Sequence, residues 1–446
     1  MAFCLKPLMV MTPFLKTAKR FSIAAALFAL SFLSASQAFS QEDSVARVSE
    51  TMTRLKDGGL SSFCYAIENG QIRGINADQP VKIASVMKLL TTYWALDTLG
   101  SPDYRYRTKI YYDQTRSDMH IEGSRDPFLN RDRQLLLLTE LNRNGITSLN
   151  RLTVDQNFLF GSSTVDVSYH ANEDARNGSL LRPTDSVLAE IFNTNRWSRD
   201  EKRSISKIQK ENPGLISGQI SFNASSTQVV SENPLAGSSN LRVFEIRSAP
   251  LSSYLKRMNI MSANPMADEL YYSLGGTPAF RTFISTRLEM GSVGSGIYSG
   301  SGLWVGPPRR DTTMPCSAMI QIIRRMDQDL QRKYRKSLAD VMMVAGLDTE
   351  DGATFKEGEQ TLVVKTGTLA GAKNLAGSLT TSQGEVYFGI FMQGKNADEK
   401  GKARGEVLET FLSGFRPTPV RGRDGFKFRM LDREMSLRDL TASVIP

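Results

Sequence analysis

Histidine is nearly absent from this chain: two in 446 residues, His120 and His170. A Ser-His-Asp triad and a zinc site both draw on histidine, so neither is expected. No G-x-S-x-G nucleophile elbow occurs anywhere, which removes the usual α/β-hydrolase arrangement. Cysteine is also scarce, at three residues, and none stands in a C-x-x-C spacing. No metal or cofactor is therefore expected. Past Leu33 no apolar run approaches the length that crosses a bilayer. Basic runs are not interleaved with aromatic residues, so nucleic acid is not an expected partner.

The net charge is +9, but Lys6, Lys16, Lys19 and Arg20 supply four of those charges before Ala38, leaving +5 on the rest. That mild excess suits an anionic neighbourhood such as a cell wall or a membrane surface. The same N-terminal stretch has the layout of a secretory signal over residues 1–38. Lys16, Lys19 and Arg20 precede the apolar FSIAAALFALSFL, and Ser36 and Ala38 offer small residues for cleavage. An uncleaved anchor is the alternative. The signal reading predicts an exported protein without stable membrane insertion, located in a periplasm. Removing the signal leaves Cys64 and Cys316, which in an oxidising compartment either pair or remain two buried thiols.

Along the remainder, Ser44–Leu55 has helical spacing, and SSFCYAIENGQIRGINAD reads as a hairpin turning at Asn69-Gly70. The apolar stretch IASVMKLLTTYWALDTLG follows as a buried helix. From about Tyr104 to Ser248 the texture shifts to short strands (RTKIYYD, RLTVDQNFLFG, GLISGQISFNA) and polar loops. Helical patterns return at Leu251, in LSSYLKRMNIMSANPMADELYYSLGG, AFRTFISTRLEMG and PCSAMIQIIRRMDQDLQRKY. QTLVVKTGTLAG, NLAGSLTTSQG and EVYFGIFMQG then predict an antiparallel meander with turns at Ala370-Gly371 and Gln383-Gly384. A helix over 401–415 and a basic tail close the chain.

Three short motifs carry chemistry. Ser85 and Lys88 form S-x-x-K at the start of the most apolar helix, one turn apart on one face. Burial there would lower the lysine's affinity for its proton and make it a base for the serine. The plainer possibility is Ser85 as a helix cap and Lys88 reaching to the surface. Setting matters, because S-x-x-K also occurs at Ser204–Lys207 and Ser253–Lys256. Ser262 and Asn264 form S-x-N at the head of a second apolar helix, where a cap is again the plainer reading. K-T-G occurs once, at Lys365-Thr366-Gly367, ending a hydrophobic strand. A cation and a hydroxyl at a strand edge suit a carboxylate, and Gly367 leaves room for a ligand backbone.

S-x-x-K, S-x-N and K-T-G in this order form the signature of β-lactamases and penicillin-binding proteins. SANPMADEL, GSGL at 300–303, KTGTL, NLAGSLTTSQG and RDPFL at 125–129 further resemble the penicillin-binding-protein-4-type D-alanyl-D-alanine carboxypeptidases, peptidase family S13. The resemblance runs from about residue 50 to 415. It implies an α+β, serine β-lactamase/DD-peptidase-like fold, an antiparallel sheet flanked by helices. Residues 39–104 and 249–416 would form the catalytic domain, 105–248 an inserted mainly β domain, and 417–446 a tail.

The resemblance also implies roles. Ser85 would be the nucleophile, Lys88 its base, Ser262 the proton relay to the leaving amine and Asn264 the group that orients Lys88 and the substrate amide. Lys365, Thr366, Gly367 and Thr368 would bind substrate, with the N–H groups of Ser85 and Thr368 as oxyanion hole. The implied partners are peptidoglycan stem peptides and β-lactam antibiotics, the implied activity a DD-carboxypeptidase that also acts as an endopeptidase. A β-lactamase or esterase on the same scaffold, or a non-catalytic wall-binding module, is the alternative. The chain departs from the family at Ala263, Ser299, Trp304, Val305 and Arg125, and its insert is short for the family.

Overall fold

The computed structural model describes residues 46–53, 61–160, 184–348 and 358–441, except positions 128, 130, 307, 359, 395–396, 421, 427–430 and 432. The signal-peptide reading of residues 1–38 lies outside the described residues. The first element is helix α1, residues 46–53.

One six-stranded antiparallel sheet organises the part of the chain that flanks residues 105–248, in the order β10-β11-β12-β13-β1-β2. β1 (Ser62–Ile67) and β2 (Arg73–Ile75) form the expected hairpin, and β11 (Leu362–Leu369), β12 (Ala372–Thr381) and β13 (Gly384–Gln393) form the expected meander. β10 (Met343–Val344) pairs with β11 at the far edge. A two-stranded ladder of β3 (Pro80–Lys82) and β9 (Thr313–Pro315) lies beside it. Both faces of the central strands are apolar, as sheets covered on two sides require. On one face α1 and α10 (Ala397–Leu412) pack through Val48, Phe63, Leu375, Phe388, Val407 and Phe411. The Phe411 ring meets Phe63 edge-on, centroids 5.5 Å apart.

The other face is covered by α9 (Cys316–Asp329), and behind it runs α2 (Lys88–Leu99). α2 is buried from Lys88 through Leu96, which explains why it carries no polar stripe. It stops at Gly100, whose left-handed backbone (φ 77°) lets its N–H return to Leu96 O. α6 (Leu251–Met261), α7 (Asn264–Ser273) and α8 (Gly276–Thr282) complete the helical layer. The single pattern LSSYLKRMNIMSANPMADELYYSLGG is thus two helices, broken at Ser262 where the backbone turns left-handed. Cys64 of β1 and Cys316 of α9 form a disulfide across the sheet–helix interface, which decides between the two possibilities the sequence left open.

Between these parts lies a second six-stranded sheet, β14-β8-β4-β5-β6-β7. β4 (Arg107–Asp113), β5 (Asp118–Glu122), β6 (Ser148–Val154), β7 (Asn223–Val229) and β8 (Leu241–Arg247) supply five of its strands. β5, β6 and β7 run parallel, so their connections must cross over. α3 (Arg131–Arg143) makes the first crossover, while α4 (Asp185–Ile191) and α5 (Arg199–Glu211) lie in the second. The strand-centred sequence reading of 105–248 omits these helices. α3 hides in the run LLLL, Leu135 to Leu138, which is buried throughout and has no polar spacing to reveal its period. GLISGQISFNA, read as a strand, is mostly loop, and β7 begins only at Asn223. The sixth strand, β14 (Arg438–Asp439), comes from the C-terminal tail and pairs with β8. On its way there the tail bonds the first sheet and its approach, Thr418 N–H to Thr380 O and Val420 N–H to Gln360 O, both within 2.9 Å.

The disulfide spans 252 residues of sequence. Replacing Cys64 and Cys316 together by alanine should cost about 2–5 kcal/mol of stability, read as a lower midpoint in denaturant unfolding, with a steeper slope because the unfolded chain loses its cross-link.

Candidate active site

Four segments converge at the N-terminal end of α2: the turn before it, the α6–α7 junction, the loop 299–303, and β11. The turn Ala84–Met87 is a single 3-10 turn leading into α2. Ala84 takes a left-handed conformation (φ 51°), an uncommon choice for a residue with a side chain. The turn is held on several sides. Ile83 N–H bonds Thr312 O, and Asn374 and Gln393 donate their amides to Lys82 O at 2.8 and 3.1 Å. Two glycines then close on it. A Cβ at Gly302 would stand 2.0 Å from Ala84 O, and one at Gly367 would stand 2.8 Å from Ile83 O. Gly367 therefore admits the protein's own turn, where the sequence suggested a ligand backbone.

No side-chain capping bond is made at the start of this turn or of α2, so Ser85 is not a helix cap. Nor does Lys88 reach the surface: it is wholly buried. Its Nζ lies 3.1 Å from Ser85 Oγ and donates to Asn264 Oδ1 at 2.7 Å and to Ser301 O at 3.1 Å. Burial lowers its pKa to about 7, against a smaller upward pull from the Asp268 carboxylate. A neutral amine has two N–H bonds and one lone pair. With the N–H bonds taken by Asn264 and Ser301, the lone pair faces Ser85.

Ser262 is the left-handed C-cap of α6, and Ala263 is the N-cap of α7. Its hydroxyl is therefore not used as a cap and accepts a hydrogen bond from Lys365 Nζ at 3.0 Å. Asn264 opens α7 and reaches Lys88 from there. The buried Lys365 also donates to its neighbour's carbonyl, Thr366 O, at 2.8 Å. Burial, with repulsion from Lys88 second, holds its pKa well below the usual lysine range. Thr366 is half-buried and Thr368 exposed on the same strand. All eight residues singled out from the sequence thus gather at one place. Of the other two S-x-x-K lysines, Lys256 is buried in an ion pair with Asp348 at 2.9 Å.

Two of the departures from the family pattern, Arg125 and Ser299, also make local contacts of their own. Arg125, where the family has glycine, adopts a left-handed backbone (φ 55°). Its guanidinium pairs with Glu269 of α7, tying the insert to the site helix. Ser299 is buried and donates to Leu303 O at 2.8 Å, closing the loop that carries Ser301. Asp268 and Ser301 were not chosen as site residues from the sequence. Asp268 lies inside SANPMADEL, one turn after Asn264, and that spacing is the signal that would have found it. Ser301 acts through its carbonyl, which no residue type announces. Among the described residues, no cluster of three or more His, Cys, Asp or Glu is placed to hold a metal ion. None of their helices is long and apolar enough to cross a membrane.

The sequence profile of the D-Ala-D-Ala carboxypeptidase 3 (S13) family matches residues 46–215 and 217–413. No curated protein matches the chain at a significant level. Among solved structures it is similar to the Bd0816 predatory endopeptidase of Bdellovibrio bacteriovorus, in complex with immunity protein Bd3460. That likeness has a TM-score of 0.73 and 25% identity over 85% of this chain and 100% of that one. A second B. bacteriovorus structure is the penicillin G-acylated Bd3459 predatory endopeptidase, again with Bd3460. Here the TM-score is 0.71 and the identity 28%, over 85% of this chain and 99% of that one. Penicillin-binding protein 4 of Haemophilus influenzae shares the fold, with a TM-score of 0.53 and 17% identity over 82% and 99%.

Because a Cβ at Gly367 would press on the turn's backbone, Gly367→Ala should displace Ser85 relative to Lys88. Expected are a loss of about 1–3 kcal/mol in stability and a fall on the order of tenfold to a hundredfold in Ser85 acylation rate. Chemical denaturation and a fluorescent penicillin time course would measure the two.

Proposed function

The chain belongs to the D-Ala-D-Ala carboxypeptidase 3 (S13) family, and from that premise we propose how its residues perform the reaction. As a serine-type hydrolase of this family, the protein cleaves D-Ala-D-Ala peptides and binds penicillin. Ser85 is the nucleophile. Lys88, neutral, takes the Ser85 proton as Oγ attacks the D-Ala-D-Ala carbonyl. The observation that carries this is the saturation of the Lys88 N–H bonds by Asn264 Oδ1 and Ser301 O, which leaves its lone pair for Ser85. The tetrahedral oxyanion lies between the N–H groups of Ser85 and Thr368. Ser262, bridged to Lys365, gives its hydroxyl proton to the leaving D-alanine amine and regains one from the Lys88 ammonium, so the proton taken from Ser85 leaves with D-alanine. Neutral Lys88 then takes a proton from the water that attacks the acyl carbonyl and returns it to Ser85 Oγ as the acyl group is released.

Lys365 and Thr366 receive the substrate's terminal carboxylate, or the ring carboxylate of penicillin. Its burial makes Lys365 easy to deprotonate when the site is empty. An arriving carboxylate favours the ammonium, so recognition and charging of Lys365 go together. A scaffold module would gain nothing from two buried lysines, each costly to bury.

Peptidoglycan stem peptides are the natural substrate. Endopeptidase action on cross-links is supported by the likeness to the B. bacteriovorus endopeptidases, one of them acylated by penicillin G. A periplasmic location is supported by the signal-like N-terminus and by the Cys64–Cys316 disulfide, a bond that persists in oxidising compartments.

The purified protein should release D-alanine from a pentapeptide stem and take up one penicillin per chain, seen by mass spectrometry. Ser85→Ala should do neither. Rapid consumption of penicillin without a lasting adduct would instead mark a β-lactamase. The acylation rate should climb as pH rises through about 7, the value to which burial brings Lys88, because the base works only once it has lost its proton.

A further inference from the structure

Asp268 is almost fully buried and lies one turn beyond Asn264 on α7, so both project from one face of that helix. Its Oδ1 accepts the Ser301 N–H at 2.8 Å. The carbonyls that precede and follow that N–H hold α2. Ser301 O accepts from Lys88 Nζ at 3.1 Å, and Gly300 O accepts from the buried Thr91 hydroxyl at 2.7 Å. Thr91 is three residues beyond Lys88 on α2. Gly300 packs against α7 too closely for any side chain, since a Cβ there would stand 2.2 Å from Ala267 O. One carboxylate thus fastens the loop 299–303 to α7, and that loop in turn grips α2 at two points, one of them the amine beside Ser85.

The geometry points to Asp268 as a positioning residue for the acyl-transfer reaction, aiming Lys88 at Ser85 by fixing the Gly300–Ser301 backbone. This rests on the reading of Ser85 as nucleophile and Lys88 as base. Asp268 does not touch the reacting atoms and acts through Ser301. A neutral amide could accept the same N–H, so the charge has to matter separately if a carboxylate is required. It does so through the field on Lys88. That amine is faced by Asp268 from α7 and by Lys365 from β11, one raising its proton affinity and the other opposing it. Asp268 itself is faced by Lys88 from α2 and by Tyr271 of its own helix. The buried carboxyl is raised to about 6, its desolvation only partly offset by the hydrogen bonds from Ser301 and by Lys88. Without the carboxylate, Lys88 would lose its proton at lower pH, and a weaker base would face Ser85.

The test is the acylation rate with a fluorescent penicillin between pH 5 and 9, in the wild type, Asp268→Asn, Asp268→Glu, Thr91→Val and Ser85→Ala, with adducts counted by mass spectrometry. Asp268→Asn should still form one adduct at Ser85. Its plateau rate should fall at least tenfold, and its acidic limb should move to lower pH. Asp268→Glu should restore the limb to near the wild-type pH and recover part of the rate. Thr91→Val removes one of the loop's two grips without touching charge, so it should slow acylation severalfold and leave the limb in place. It decides the positioning claim even if Asp268→Asn does not fold. A wild-type rate and limb in Asp268→Asn, or a wild-type rate in Thr91→Val, would overturn the proposal. An adduct that persists in Ser85→Ala would instead sink the underlying assignment of Ser85.

Discussion

The structure turns on the burial of one amine. Lys88 is taken fully out of water, at a desolvation cost that only a few well-placed acceptors can offset. Asn264 Oδ1 and Ser301 O are those acceptors, and they come from chain segments 176 and 213 residues away. Everything that brings these groups together is in that sense a condition on the base. The apolar α2, the break at Ser262 and the loop closed by Ser299 all serve to keep water away while leaving two hydrogen bonds. The same low-dielectric setting makes the amine a usable base near neutrality.

A second constraint is steric. The turn bearing Ser85 carries a left-handed Ala84, a conformation that costs energy and persists only where the surroundings impose it. They do so with backbone atoms. Gly302 lies against Ala84 O and Gly367 against Ile83 O, both too close for any side chain. Ser85 is positioned by strands and loops that would clash with anything larger, the rigidity that the proposed covalent mechanism needs.

The insert is joined to this centre by more than its two chain connections. Arg125 pairs with Glu269, the neighbour of Asp268 on α7. Arg133, fully buried, donates to Asp126 and to the Tyr254 hydroxyl, both at 2.8 Å, linking α3 to α6. The tail then bonds the catalytic half before adding β14 to the insert's sheet, where it covers the edge of β8. Arg242 pairs with Asp439 at 2.9 Å across that last junction.

The sequence by itself determined much of this protein. Alternating apolar residues and turn dipeptides marked β1, β2 and the meander β11–β13, because strand period and turn chemistry are local properties. Ser85, Lys88, Ser262, Asn264 and Lys365 through Thr368 were legible as side-chain types in an ordered set of short motifs. What stayed hidden was of other kinds. α3 escaped because a leucine run buried on all sides carries no period, and the tail's strand because two residues, Arg438 and Asp439, make no pattern. Whether Cys64 meets Cys316 depended on a sheet packing against a helix. Ser301 contributes a carbonyl that every residue possesses, Gly367 matters for the turn it admits, and Asp268 for the backbone it holds. Those roles belong to atoms brought together across hundreds of residues, and a distance of that kind exists only once the chain has packed.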